Sequence, residues 1–193
     1  MDVNKKKKIL NISSSIIISI LSVLLLIKLN FTQVVVSGPS MQPTLTGDDV
    51  NGYEYGYTDR FLFRLTGLDR YDIVVVKTDY NDLWIKRIIG MPNETIQIID
   101  GKVYINDKLL ISDTYGVEPI IDPGIAGEKI KLGKKQYFVM GDNRNHSTDS
   151  RSEYLGVVDL KQIYGHSIIS RGICKDTYCD KIYQKHDYEV KGW

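Results

Sequence analysis

The sequence predicts a mainly β domain carried behind one N-terminal transmembrane helix. Three observations lead there. Residues 9–27 (ILNISSSIIISILSVLLLI) hold thirteen apolar residues in nineteen and no charge. Beyond them no stretch keeps a sustained 3.6-residue apolar period, whereas short β-branched runs alternate with turn residues. Thirteen Tyr and sixteen Gly against a single Ala, Ala126, suit strands and turns better than a helical bundle.

A length of 193 residues fits one domain plus short appendages. Lys+Arg 25 against Asp+Glu 24 leaves a net charge of +1, so no general nucleic-acid-binding field is implied. Two Cys are too few for a disulfide-dense miniprotein or a four-Cys zinc site.

Residues 1–8 are a basic N-terminus with Lys5 to Lys8 and a local charge of +3, which leaves −2 on the remainder. The anchor follows over residues 9–28. A nineteen-residue helix spans roughly 28 Å, close to a bilayer's hydrocarbon core. Its five Ser can hydrogen-bond back to helix carbonyls, and Lys28 can reach the headgroups. A cleaved secretory signal would have a shorter apolar core and an A-x-A-like site, and a buried soluble helix would show a polar face. The positive-inside rule puts residues 1–8 in the cytoplasm and residues 29–172 outside, in the plasma membrane's single-pass arrangement.

Within that extracytoplasmic domain, QVVV (33–36) reads as a strand that meets a Gly/Pro turn over residues 37–45. Residues 51–70 read as a hairpin or long loop whose Phe61, Leu62 and Phe63 need burial in protein or lipid. IVVVK (73–77) and LWIKRIIG (83–90) are strand-like. Residues 94–110 alternate around Asp100-Gly101 and Asn106-Asp107, the pattern of successive hairpins. The turn-rich stretch 112–135 reads as a surface insertion. Residues 136–147 form a strand entering a polar loop, and residues 156–171 supply one or two closing strands. Residues 173–193 are a C-terminal tail.

The three His lack paired metal spacing, and neither a phosphate loop nor a G-x-S-x-G elbow is present. Ser40, in S-G-P-S-M-Q-P-T-L, offers a hydroxyl beside backbone N–H groups held by Gly38, Pro39 and Pro43, a setting for carbonyl attack. Ser in such turns is also ordinary turn chemistry. Lys86 sits mid-strand; if Trp84, Lys86 and Ile88 share a face, desolvation lowers its pKa and a neutral amine can take a hydroxyl proton. A solvent-reaching edge lysine is the alternative, and the neighbouring Arg87 fits that description equally. In Gly141–Arg151, Asp142, Arg144, Asp149 and Arg151 interleave with Ser147 and Ser150, which suits a self-tied ionic network.

Together these segments resemble the type I signal peptidases, membrane-bound Ser-Lys endopeptidases of family S26. S-M-x-P-T, Y-D-I-V-V-V-K, I-K-R-I-I-G-x-P and G-D-N-R-x-x-S-x-D-S-R match the family's boxes in order, over about residues 5–172. The resemblance implies an antiparallel β-sheet or barrel catalytic domain, no metal or other cofactor, and a monomer working against membrane lipid. It implies removal of signal peptides from exported pre-proteins after small residues at −1 and −3. Ser40 would be the nucleophile, with its own N–H in the oxyanion hole, and Lys86 the general base. Ser147 would orient Lys86, Asp149 with Arg151 would brace the loop, and Asp142 and Arg144 would do so more remotely. Val36, Gly38, Met41, Leu45 and Ile85 would line the shallow substrate pockets.

Departures remain. Asn93-Glu94 replaces the family's usual Gly-Asp, His146 stands where Asn is common, and the spacer S-E-Y-L (152–155) is longer than in many relatives. Cys174 and Cys179 form either a small disulfide loop or two spare thiols. A non-proteolytic relative that scaffolds surface polymers such as pili is the competing function. Self-cleaving repressor proteases share the dyad but are cytosolic and carry a DNA-binding head.

Overall fold

The structure, a computed structural model, describes residues 3–48, 52–174 and 190–191. Helix α1 (Val3–Asn30) begins inside the basic segment and is longer than the expected anchor. Over Asn11–Asn30 it is long and apolar enough to cross a membrane, and every residue of that stretch before Asn30 is exposed. Its hydroxyls turn inward as expected: Ser15 Oγ donates to Asn11 O at 2.9 Å and Ser22 Oγ to Ile18 O at 2.8 Å.

No linker separates the helix from the first strand, β1 (Phe31–Ser37). Asn30 is buried, and its Oδ1 accepts the Phe61 N–H at 3.0 Å while its carbonyl accepts the Arg60 N–H at 3.0 Å. The 60–62 loop is thereby tied to the end of α1. In that loop Phe63 packs inside, at the head of the short α2 (Phe63–Thr66), whereas Phe61 and Leu62 stay about half exposed.

The remaining strands are β2 (Gly47–Asp48), β3 (Gly52–Asp59), β4 (Ile73–Lys77), β5 (Leu83–Gly90), β6 (Thr95–Ile99), β7 (Lys102–Ile105), β8 (Lys108–Leu109), β9 (Ile130–Lys131), β10 (Gln136–Met140), β11 (Val158–Asp159), β12 (Ile163–Cys174) and β13 (Val190–Lys191). The larger sheet runs β11-β10-β5-β13-β1-β3-β12-β4, and a further β4–β5 pairing closes it into a barrel. Nearly every pairing is antiparallel; β13 alone, lying between β1 and β5, pairs parallel to both among the described strands.

The smaller sheet, β8-β7-β6-β9, is built from the expected hairpins. Asp100, Gly101, Asn106 and Asp107 all take positive φ, as two-residue hairpin turns require. Ile96, Ile98, Val103 and Ile105 from this sheet pack on Ile89, Phe138 and Met140 of the barrel. Segment 112–135 contributes to that core through Ile120, Ala126 and Leu132, all buried, so one face of the stretch read as a surface insertion is interior.

β5 lies at the centre of this arrangement. It pairs with β4 on one edge and β10 on the other, and all eight of its residues are buried. Cys179 lies outside the described residues, so the Cys174–Cys179 pairing does too.

Candidate active site

Ser40 occupies the turn that leaves β1. Gly38 N–H donates to Gly47 O at 2.6 Å, Gln42 N–H to Pro39 O at 3.0 Å and Leu45 N–H to Met41 O at 3.0 Å. Gly38 has φ +92, a left-handed conformation that a side chain disfavours, so the backbone itself calls for glycine there.

Lys86 rises from the middle of β5, opposite Val74 of β4. Its Nζ donates to Ser40 Oγ at 2.8 Å, across 46 residues of sequence. Both side chains are inside the protein, Lys86 at 0% exposure and Ser40 at 1%. Burial lowers the Lys86 pKa from 10.5 to about 8; nearby Asp149 opposes the shift, Arg151 adds to it, and Asp142 opposes it. A substantial neutral fraction near pH 8 follows, and in that form the hydroxyl proton can point the other way, from Oγ to Nζ.

The Gly141–Arg151 loop holds the pair in place. Asn143 N–H donates to Ser40 O at 3.0 Å, and Asn143 Nδ2 to Pro39 O at 3.2 Å. Gly141 N–H donates to Asp149 Oδ2 at 3.0 Å, and Arg151 meets the same carboxylate through Nε and Nη2, each at 2.8 Å. A Cβ on Gly141 would collide with Ser147 Oγ and Ser40 O, which is why a glycine passes at this point.

Asp142 and Arg144 do not pair with each other. Asp142 takes Arg87 through Nε at 2.7 Å and Nη2 at 2.5 Å, and also accepts from Thr44 Oγ1 at 2.5 Å. Arg144 reaches out to Asp113 at 2.7 and 2.6 Å. The result is three buried ion pairs, each two-pronged: Arg87–Asp142, Arg144–Asp113 and Arg151–Asp149.

Arg87 and Asp113 are the residues that sequence reasoning missed. Alternation along β5 placed Arg87 outward, but that face is covered, and Asp113 sits 31 residues from its partner in a stretch read as surface. Ser147 Oγ is buried without a hydrogen-bond partner among the described residues, so it makes no hydrogen bond to Lys86 in this arrangement.

Four of the five residues expected to line pockets share one cluster, which does not include Gly38. Val36, Met41, Leu45 and Ile85 form one buried cluster with Val34, Val75 and Leu83 around the Ser40 turn. A cavity of about 670 Å³ opens nearby between Ile121–Ile125 and Ser147–Glu153, but neither Ser40 nor Lys86 lines it. The Asn93-Glu94 departure leaves the dyad untouched. Asn93 takes φ +67, which Asn tolerates, and Glu94 pairs with Arg70 at 2.5 Å. Among the described residues no group of three His, Cys, Asp or Glu could hold a metal ion.

Comparison with known proteins gives the chain's family. The sequence profile of the family described as "Signal peptidase, peptidase S26" matches residues 9–170. Signal peptidase I of Bacillus licheniformis is 35% identical over 85% of this chain and 89% of its own. Signal peptidase I S of Bacillus subtilis is 33% identical over 86% and 90%. A crystal structure of a signal peptidase I from Enterococcus faecalis is 30% identical, with a TM-score of 0.42 over 51% of this chain and 95% of that one. The chain belongs to the signal peptidase family, peptidase S26.

Proposed function

We propose that this chain is a membrane-anchored serine endopeptidase that cuts signal peptides from exported pre-proteins, with Ser40 as nucleophile and Lys86 as general base. The observation that carries the reading is the 2.8 Å contact between Lys86 Nζ and Ser40 Oγ inside a dry site.

Neutral Lys86 takes the Ser40 proton as Oγ bonds to the scissile carbonyl carbon. The Ser40 N–H receives the oxyanion, and Gly38 offers no side chain to help. The protonated amine then gives its proton to the leaving amine, and an acyl-enzyme remains. Lys86 next deprotonates water, whose oxygen attacks the acyl carbon; the acyl–Oγ bond breaks and the ammonium returns its proton to Ser40 Oγ. Asp149 and Arg151 fix the loop against the Ser40 turn, and Asp142 and Arg144 fix its flanks. Ser147 orients the amine once its side chain turns toward Lys86.

Val36, Gly38, Met41, Leu45 and Ile85 supply the apolar walls for small residues at −1 and −3, where a larger side chain would clash. The domain division is residues 1–8 cytoplasmic, 9–28 in the membrane, 29–172 catalytic and outside, and 173–193 a tail. The anchor confines a monomeric enzyme to the plane where its substrates emerge, which raises their effective concentration.

The test is to incubate the full chain in detergent micelles with a labelled pre-protein carrying an A-x-A site, then to sequence the new N-terminus. Cleavage after the second Ala, absent in Ser40→Ala, is expected. Absence of cleavage by the unaltered chain up to about pH 10, where Lys86 is neutral, would contradict the reading and favour a scaffold.

A further inference from the structure

We infer that Tyr154 is a positioning residue for Lys86: stacked on Trp84, it completes an aromatic wall that keeps water from the amine. The inference rests on Lys86 as general base.

Trp84 and Lys86 are two residues apart on β5, so their side chains share a face. Lys86 Nζ lies 5.7 Å from the centroid of the Trp84 ring. Tyr154 stacks on Trp84 with centroids 5.4 Å apart and planes 17° off parallel. Tyr80 stacks on Tyr154 in turn, at 4.8 Å and 10°. Exposure falls along this column from 68% at Tyr80 to 46% at Tyr154, 3% at Trp84 and 0% at Lys86, so it leads from solvent to the amine. Two exposed tyrosines in register with a buried tryptophan are not needed to fill a core. Their position is that of a plug.

Two further observations support a dry wall. Trp84 Nε1 is buried, so the polar edge of the ring does not open to solvent. The turn that carries Tyr154 is also built off the ionic loop: Ser152 N–H donates to Asp149 O at 2.9 Å, and Tyr154 N–H to Ser152 Oγ at 3.2 Å. Asp149 therefore anchors both the dyad loop and the outer ring.

Around the amine the charged neighbours are Asp149, Arg151 and Asp142, and Ser40 supplies the hydroxyl. Tyr80 and Asp82 face Tyr154. None of these groups is altered when Tyr154 is shortened, so the change isolates hydration. Water admitted beside Trp84 favours the ammonium form, and the acid limb of the rate profile then moves to higher pH.

The experiment is the pH profile of kcat/KM for pre-protein cleavage by the full chain in micelles, from pH 6 to 10.5. Tyr154→Ala is expected to move the acid limb up by roughly half to one pH unit, a loss of about three- to tenfold at pH 7 that vanishes near pH 10. Tyr154→Phe, which keeps the stack, restores the original limb. Tyr80→Ala moves it in the same direction by less, and this exposed ring serves if Tyr154→Ala does not fold. An unmoved limb in the folded variants, including a uniform loss at every pH, overturns the inference. Failure of the general-base reading is separate: it would show as an unaltered chain with no acid limb between pH 7 and 9.

Discussion

Lys86 and Arg87 are adjacent on one strand, both buried, and they are treated in opposite ways. Arg87 is clamped by Asp142 through two hydrogen bonds, with Tyr71 O taking a third at 2.8 Å. Lys86 has no carboxylate within ion-pair distance among the described residues and rests on a serine hydroxyl. Charge on the Arg87 face is compensated, whereas charge on the Lys86 face is disfavoured. Compensation makes Arg87 structural. Its lack suits Lys86 to the base role proposed for it, because the amine can relieve the burial by losing its proton while a guanidinium cannot.

The contrast breaks most completely in Lys86→Arg, which puts a permanent cation where a neutral amine is required. Cleavage should fall at least a hundredfold, measured as initial rate at pH 8; near-native turnover would remove the base assignment.

Asp142→Ala attacks the other face by stranding Arg87. A loss of about 3–5 kcal/mol in chemical denaturation is expected, the range for a buried charge left without its partner. Lys86→Met should do the reverse. The folded pKa of about 8 lies below the unfolded 10.5, so the unfolded chain binds the proton more readily in that window, and the folding penalty is full below pH 8. The variant should therefore melt higher than the parent at pH 7, with the gain fading as pH rises toward 10.5. A variant less stable at pH 7 would show that the lysine is compensated after all.

Gly141→Ala probes where the two faces meet, since its new methyl would press on Ser147 and Ser40. Activity should drop at least tenfold with a smaller loss of stability, read as the ratio of rate to melting shift. The smallest effect belongs to an exposed pair, Lys129–Asp107 at 2.5 Å, where Lys129→Ala should change stability by less than about 0.5 kcal/mol.

Much of this was legible in the sequence where the physics is local. Strands β4 and β5 begin and end at the expected residues, because β-branched runs bounded by turn residues leave little choice. The Asp100-Gly101 turn follows from two adjacent residues that accept positive φ. Ser40 and Lys86 were legible as an exposed-type turn and an odd strand residue, though only the fold puts them 2.8 Å apart. Asp149 and Arg151 pair with each other as read, but ion-pair partners from other elements were not legible. Asp142 and Arg144 alternate in sequence as if they formed one pair, yet each bonds a residue brought in from another element, 55 and 31 positions away. Likewise, alternation predicts an outer face for Arg87 only if the strand has an outside, and β5 is covered on both faces.

The central claim concerns one nitrogen, and it can be titrated directly. With 15N-labelled lysine in the full chain, carrying Ser40→Ala to prevent turnover, the Lys86 amine should titrate with a midpoint near 8. A midpoint near 10.5, that of an ordinary lysine, would contradict the account.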